Sequence, residues 1–280
     1  MPAYLSETSP NLTIQAASAS FVYRRLGRVG GVPLVVLNRF RGTLDTWDPE
    51  FLDLLSAERD VILFDNVGIG YTEGVAPASM NDYADGAIEV IEAFGFESVD
   101  LLGWSLGGVV AQIVTLKRPD LVRRLVVAGS GPGTVPNLPA TPQRVFEIMA
   151  KQEAPIEDVN YLFYPETEAG RKAADASNAR VWPRLSSSPA TVTDVSAANQ
   201  LRASIDFLAK GDVYERLESV TQPVLYATGA HDVMIDPFGS YAATQVLPNA
   251  TLLIYSDAGH AFLFQHAEEF VTQVRRFLDE

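Results

Sequence analysis

The chain has 280 residues, of which 47% are hydrophobic and 20% charged, a composition typical of a globular protein with a large core. Lysine and arginine total 21 against 35 aspartates and glutamates. The resulting net charge of −14 argues against binding to nucleic acid or to anionic membranes. The absence of cysteine excludes disulfides and thiolate metal sites. Residues 1–15 lack the pattern of a secretory signal and no apolar stretch is long enough to span a membrane, so we expect a cytoplasmic protein.

Alternating apolar and polar residues at 12–16 and 20–26 predict an antiparallel hairpin at the edge of a sheet. Short strands and helices then alternate along the chain. Strands are predicted at 32–37, 60–64, 124–128, 223–228 and 250–255, with a further strand beginning at Val99, and helices at 48–58, 82–94, 109–117 and 267–278. This alternation predicts an α/β fold with a mostly parallel, doubly wound sheet. Functional residues of such folds lie at the carboxyl ends of the strands.

Residues 134–215, the helical insertion, interrupt this alternation with helical patterns and no predicted strand. Helices are predicted to begin at Thr141 and to cover 157–164, 166–182 and 191–208, with breaks at two prolines. The predicted organisation is therefore a core formed by residues 1–133 and 216–280, with the insertion as a separate subdomain. We expect a ligand-binding cleft where the two meet.

The segment Gly103-Trp104-Ser105-Leu106-Gly107 joins a predicted strand to a predicted helix. A sharp strand-to-helix turn projects a serine hydroxyl beyond the edge of the sheet, and glycines two positions before and after it relieve the crowding at the bend. The start of the helix also favours a developing negative charge. Ser105 is therefore predicted to be a nucleophile. A serine that only caps the helix would show part of the same pattern.

A nucleophilic serine needs a base, and the chain has three histidines. His260 is predicted to be this base because it follows the last strand, at the same edge of the sheet as Ser105. His266 lies near the start of the final helix, where a surface role is expected. Asp232, in the loop after strand 223–228, is predicted to accept a hydrogen bond from the imidazole and so to fix its tautomer.

Other assignments of these polar residues stay open. Asp236 and Asp257 are competing partners for the imidazole, and Asp232 could instead close an Asx-turn. A metal site formed by His231, Asp232 and His260 would leave the serine motif unexplained, so no metal and no cofactor are expected.

An oxyanion hole needs two backbone N–H donors near the nucleophile. Leu106 is predicted to supply one, and either Phe40 or Arg41, in the loop after strand 32–37, the other. A plain strand-to-helix turn would also account for this loop. Trp104, Phe40 and Trp182 are predicted to contact the substrate, although aromatic residues of the insertion more often belong to a core.

Five segments of the chain resemble the α/β-hydrolase fold superfamily, in the branch of the non-haem chloroperoxidase-like esterases and perhydrolases. These segments are 40–49, 64–70, 103–108, 229–232 and 259–260. The resemblance implies that Ser105, Asp232 and His260 are a catalytic triad and that the insertion is a cap over the active site. Many members place His, often His-Gly, in the oxyanion loop, where this chain has Asn38-Arg39-Phe40.

Together these observations predict a serine hydrolase that acts on a small, apolar carboxylic ester or lactone through an acyl-enzyme on Ser105. The same side chains could support C–C bond hydrolysis, lyase chemistry or perhydrolysis, and a non-catalytic ligand-binding protein is a further alternative. The expected partner is a small-molecule substrate. Self-association into a homo-oligomer stays open.

Overall fold

In the computed structural model, which describes residues 4–280, eight strands form one mixed sheet. The first three residues of segment 1–15, and of the predicted core, lie outside the described part. The strands of the sheet are β1 (Leu12–Gln15), β2 (Ser20–Leu26), β3 (Leu34–Leu37), β4 (Val61–Phe64), β6 (Val99–Trp104), β7 (Val122–Ala128), β9 (Val224–Gly229) and β10 (Ala250–Tyr255). Their order is β1-β2-β4-β3-β6-β7-β9-β10. β1 and β2 form the predicted antiparallel hairpin at one edge, and β2 also pairs antiparallel with β4. The other six strands, β4, β3, β6, β7, β9 and β10, pair in parallel with their neighbours.

Helices cover both faces of the sheet, so the predicted doubly wound α/β architecture is confirmed. Outside the insertion the helices are α1 (Leu5–Thr8), α2 (Pro49–Ser56), α3 (Met80–Ala93), α4 (Leu106–Lys117), α10 (Pro237–Val246), α11 (Phe262–Gln265) and α12 (Ala267–Asp279). β3 and β4 are apolar on both faces and fully buried, as interior parallel strands require. One core cluster packs α3 and α4 against the sheet, and the other packs α2 and α12 on the opposite face.

The helical insertion is mostly helical, as predicted, but it also contains a short strand. Its helices are α5 (Gln143–Met149), α6 (Ile156–Phe163), α7 (Glu168–Leu185), α8 (Asp194–Lys210) and most of α9 (Val213–Arg216). The prediction that residues 191–208 form one helix is wrong at its start. β8 (Thr191–Val192) instead pairs antiparallel with β5 (Ile69–Gly70), and α8 begins only after Thr193, whose hydroxyl accepts a hydrogen bond from the N–H of Ser196 at 3.2 Å. β-Branched residues favour the extended conformation and a threonine cap starts a helix.

Side chains of α7 and α8 attach the insertion to the rest of the chain. Arg180 forms an ion pair with the buried carboxylate of Asp48, at 2.7 Å, and Arg184 pairs with Asp45 at the same distance. In α8, Asn199 donates to the carbonyl of Ala76 at 2.9 Å. None of the helices in residues 4–280 combines the length and the apolarity needed to cross a membrane.

Candidate active site

Ser105 lies at a strained turn between β6 and α4. Its backbone has φ 58° and ψ −120°, a conformation that residues with a side chain rarely adopt. A Cβ atom added to Gly103 would lie 2.1 Å from the carbonyl oxygen of Gly107, and one added to Gly107 would lie 2.2 Å from the carbonyl oxygen of Leu37. The prediction that both glycines are needed for steric reasons at this bend is therefore confirmed.

The carboxylate of Asp232 makes two kinds of hydrogen bond. Oδ2 lies 2.7 Å from Nδ1 of His260, and both side chains are buried. Oδ1 accepts from the backbone N–H groups of Met234 and Ile235, each at 2.9 Å. The partner of the imidazole and the residue that closes the Asx-turn are thus the same aspartate. The turn fixes the carboxylate, and the carboxylate fixes the orientation of the ring.

His260 packs against Trp104, which precedes Ser105, and against Gly129 in the loop after β7. The indole of Trp104 donates to the backbone carbonyl of His260 at 3.1 Å, and the two rings lie 5.7 Å apart. Gly129 follows Ala128, whose carbonyl accepts from the N–H of Ser105 at 2.9 Å. A Cβ on Gly129 would lie 3.3 Å from Nδ1 of His260. The imidazole is fully buried, and Nε2 has no hydrogen-bond partner among residues 4–280.

The competing polar residues have other partners. Asp236 caps α10, because Oδ1 accepts from the N–H of Phe238 at 2.8 Å. Asp257 pairs with Nε2 of His266 at 2.8 Å, in a half-exposed position. His231 is exposed, and its N–H donates to the carbonyl of Ala258 at 2.9 Å. None of these three side chains forms a hydrogen bond with the imidazole of His260 in the described part of the chain.

Two backbone N–H groups near Ser105 have no acceptor in residues 4–280. Leu106 is the first residue of α4, where the helix offers no acceptor for the N–H. The N–H of Phe40 also has no partner there, whereas the N–H of Arg41 donates to Oε1 of Gln200 at 2.9 Å. Of the two predicted candidates in this loop, Phe40 is therefore the one with a free donor.

A cavity of about 120 Å³, open to solvent, lies over Ser105. Its wall combines residues of the core, including Phe40 and Leu106, with residues of the insertion, including Phe146 and Ile205. The lining is mainly aliphatic and aromatic, and Asp236 is the one ionisable side chain among the described residues that form it.

Two of the three residues predicted to contact the substrate do not line this cavity. Trp104 is 1% exposed and lies beside His260 in the core, where it packs against Phe264. Trp182 is 65% exposed on α7 and is not among the residues that line the cavity. The two tryptophans lie away from the predicted position for the same reason. The direction of a tryptophan side chain follows from tertiary packing and not from its neighbours in the sequence. Phe40 does line the cavity.

Sequence reasoning gave no role to two buried polar residues, one directly after β3 and one directly after β4. Asn38 donates to the carbonyl of Phe64 at 3.0 Å and accepts from the indole of Trp47. Asp65 accepts from the N–H groups of Leu44 and Tyr71, at 2.8 and 2.9 Å. Burial raises the pKa of Asp65 to about 7. A polar residue directly after a fully apolar strand was the available signal.

Comparison with known families assigns this fold. The α/β hydrolase fold family matches residues 32–267, most of the chain. The chain is an α/β hydrolase. The relatives of this α/β hydrolase include an alpha/beta hydrolase fold protein from Chitinophaga pinensis, whose structure has 32% sequence identity and a TM-score of 0.90 over 98% of this chain and 99% of that one.

Two curated relatives extend the comparison. A 2-hydroxymuconate semialdehyde hydrolase of Pseudomonas putida is 28% identical over 240 residues, which are 80% of this α/β hydrolase and 79% of the relative. Polyketide synthase ThaQ of Burkholderia thailandensis is 29% identical over 263 residues, which are 90% of this chain. The match spans only 12% of that synthase.

Proposed function

We propose that this α/β hydrolase cleaves a small, apolar carboxylic ester or lactone through an acyl-enzyme on Ser105. The observation that carries the proposal is the buried imidazole of His260, which Asp232 holds through Nδ1 while Nε2 makes no hydrogen bond within residues 4–280. The same residue packs against Trp104, which directly precedes Ser105. Fixing one ring nitrogen leaves the other as the proton acceptor. Ser105, Asp232 and His260 are, in this proposal, a catalytic triad.

The reaction follows from these positions in two steps. Nε2 of His260 takes the proton of the Ser105 hydroxyl as Oγ attacks the ester carbonyl, and the imidazolium then protonates the departing alkoxide. The acyl group is left on Oγ. In the second step Nε2 takes a proton from water, the resulting hydroxide attacks the acyl carbonyl, and Oγ leaves with that proton. In each step the N–H groups of Leu106 and Phe40 stabilise the oxyanion.

The cavity lining supports an uncharged, apolar substrate. Burial of apolar substrate surface against aliphatic and aromatic side chains supplies binding free energy, about 25 cal/mol per Å². A carboxylate on the substrate would meet the negative charge of Asp236 and no cation among the described lining residues. We therefore expect neutral esters and lactones to be better substrates than anionic ones of the same size.

The helical insertion acts, in this proposal, as a cap. Both α5 and α8 line the same cavity as Ser105, through Val145, Phe146 and Met149 of α5 and Leu201 and Ile205 of α8. A cap of this kind reduces the amount of water around the reacting carbonyl, which strengthens the hydrogen bonds to the oxyanion. It also sets the size of the acyl group that fits.

A second candidate is C–C bond hydrolysis with the same triad, because one curated relative is a 2-hydroxymuconate semialdehyde hydrolase. The apolar lining of the cavity, with no cation among its described residues, favours the neutral ester. A panel of aryl esters, lactones and vinylogous diketones separates these reactions, and addition of hydrogen peroxide to the ester assay detects perhydrolysis. Turnover of the diketones alone would replace the ester by the C–C bond.

The decisive test of the nucleophile is the Ser105→Ala variant. It should lose measurable ester turnover, and a fluorophosphonate probe that adds one phosphonyl group to the wild-type chain should add none to the variant. Mass spectrometry of the peptide that contains residue 105 locates the adduct. Labelling of the variant at the wild-type rate would exclude Ser105 as the nucleophile.

A further inference from the structure

The loop that carries Phe40 is fixed by a side chain from the helical insertion. The N–H of Arg41 donates to Oε1 of Gln200 at 2.9 Å, and Gln200 is 1% exposed within α8. On the other side of the same peptide unit, the carbonyl of Phe40 accepts from Nη1 of Arg39 at 2.8 Å. Both polar groups of the peptide between Phe40 and Arg41 are therefore held, while the N–H of Phe40, in the preceding peptide unit, stays free.

Arg41 adopts a backbone conformation that needs such support. Its φ of 53° lies in the left-handed region, where a residue with a side chain is strained and stays only when its surroundings hold it. The guanidinium group provides a further link, because Nη1 donates to the carbonyl oxygens of Lys151 at 2.7 Å and Gln152 at 3.2 Å. The insertion thus holds Arg41 through its backbone and through its side chain.

The helix that contains Gln200 also forms part of the cavity wall. The cavity is lined on α8 by Leu201, Ser204 and Ile205. Leu201 follows Gln200 directly, and the other two lie about one helical turn further along the same helix. One rigid element therefore touches both the space for the substrate and the loop that carries the free N–H. A shift of α8 would move both.

We infer that Gln200 is a positioning residue for the oxyanion hole: its hydrogen bond to the N–H of Arg41 holds the loop so that the N–H of Phe40 faces the oxyanion on Ser105. This inference rests on the proposed function. Since an oxyanion donor acts in the transition state, loss of the Gln200 side-chain oxygen should lower kcat and leave KM nearly unchanged. A displacement of the donor by about 1 Å costs up to about 100-fold in rate, so we expect a 10- to 100-fold loss, on the order of that estimate.

The test compares three variants in the full-length protein with a neutral aryl ester. Gln200→Leu removes the acceptor at similar volume, Gln200→Glu keeps an acceptor oxygen, and Asn199→Ala is the matched control. Asn199 is the neighbouring residue in α8 and also anchors that helix, but to the carbonyl of Ala76 and not to the oxyanion loop. Steady-state kinetics, the inhibition constant of an aryl boronic acid, and thermal unfolding are measured for each variant.

The inference predicts that Gln200→Leu loses kcat and boronic-acid affinity by similar factors, because both depend on the oxyanion donors. Gln200→Glu should recover most of the loss, and Asn199→Ala should keep kcat within about threefold even where its melting temperature falls. Equal losses of kcat in Gln200→Leu and Asn199→Ala, or a Gln200→Leu variant with wild-type kcat, would overturn it.

A Ser105→Ala control assayed in parallel separates this inference from the proposed function. If Ser105→Ala is inactive while Gln200→Leu has wild-type kcat and boronic-acid affinity, the triad stands and the role of Gln200 is wrong. If Ser105→Ala retains turnover, the oxyanion on Ser105 does not form and both are wrong.

Discussion

Asp232 and His260, separated by 28 positions in the sequence, meet at 2.7 Å through Oδ2 and Nδ1 in a buried site. The other carboxylate oxygen of Asp232 closes the turn at Met234 and Ile235. This division of the carboxylate matters because it makes the orientation of the imidazole depend on the loop after β9 as well as on the loop after β10. The partner on Nδ1 decides which ring nitrogen carries the proton.

The first prediction concerns this pair. Asp232→Asn should keep the turn, because an amide oxygen can still accept from both N–H groups, but it then places the NH₂ group opposite Nδ1. The imidazole then loses its fixed tautomer and the support for its positive charge, and kcat should fall by about 10³- to 10⁴-fold. Ester turnover in the steady state measures the loss.

The chain offers a matched control for that variant in a second aspartate–histidine pair. Asp257 lies 2.8 Å from His266 and is half-exposed at the surface. Asp257→Asn should keep kcat within about twofold, because an exposed pair contributes at most about 1 kcal/mol to stability and lies outside the proposed triad. A large loss of activity in Asp257→Asn together with an active Asp232→Asn would reverse the two assignments.

The second prediction concerns the glycine two positions after Ser105. An alanine Cβ at Gly107 would lie 2.2 Å from the carbonyl oxygen of Leu37 and 2.8 Å from that of Asn38, so β3 and α4 would have to separate. The free energy of unfolding should fall by about 3 kcal/mol or more, as measured by urea unfolding. Gly86, inside α3, is the control, because an added Cβ there would meet nothing closer than a Phe21 ring atom at 3.6 Å.

In contrast to Gly107→Ala, the Gly86→Ala variant should gain about 0.5 to 1 kcal/mol, since alanine restricts the unfolded chain more and favours the helix. The two substitutions add the same methyl group, so their opposite signs would isolate the steric effect at the turn. A stable Gly107→Ala protein would show that the bend after Ser105 tolerates a side chain.

The third prediction concerns pH. Burial raises the pKa of Asp65 to about 7, so between about pH 4 and pH 7 the folded protein holds a proton that the unfolded chain has released. Fewer protons are bound in the unfolded state, and the contribution of Asp65 to the free energy of unfolding therefore falls as the pH rises through this window, by up to about 1.4 kcal/mol per pH unit.

Asp65→Asn removes this titration, so the stability of the wild type relative to the variant should decline between pH 4.5 and pH 7.5. The comparison of the two proteins cancels the titration of all other groups, which the substitution leaves in place. Urea unfolding at intervals of half a pH unit measures it, and a difference that stays constant with pH would show that Asp65 is ionised throughout.

The sequence predicted the interior of the sheet and the turn at Ser105 because local chemistry determines both. β3 and β4 consist entirely of apolar residues, and Gly103 and Gly107 are required by the bend itself. Asp232 could be placed at the correct edge of the sheet from its position after a strand. Which of three nearby acids pairs with the imidazole depends on the folded chain, where Asp232 lies 2.7 Å from Nδ1.

Other features depend on contacts between distant segments and left no local pattern. β8 forms because Thr191 and Val192 meet Gly70 and Ile69, more than 100 residues earlier. The choice between Phe40 and Arg41 as donor depends on Gln200, 159 positions after Arg41. Trp182 is on the surface of α7 and Trp104 is in the core, although the sequence predicts that both contact the substrate.

The position of β10 has a consequence for biosynthesis. β10 is an edge strand of the sheet and the last strand in the chain. His260 lies in the loop that follows it. A ribosome-bound chain can thus form β3, β4, β6 and β7, together with the bend at Ser105, before His260 has been synthesised. In the proposed mechanism such an intermediate lacks the base that activates Ser105, so acylation begins only after the last strand and the loop that follows it have been added.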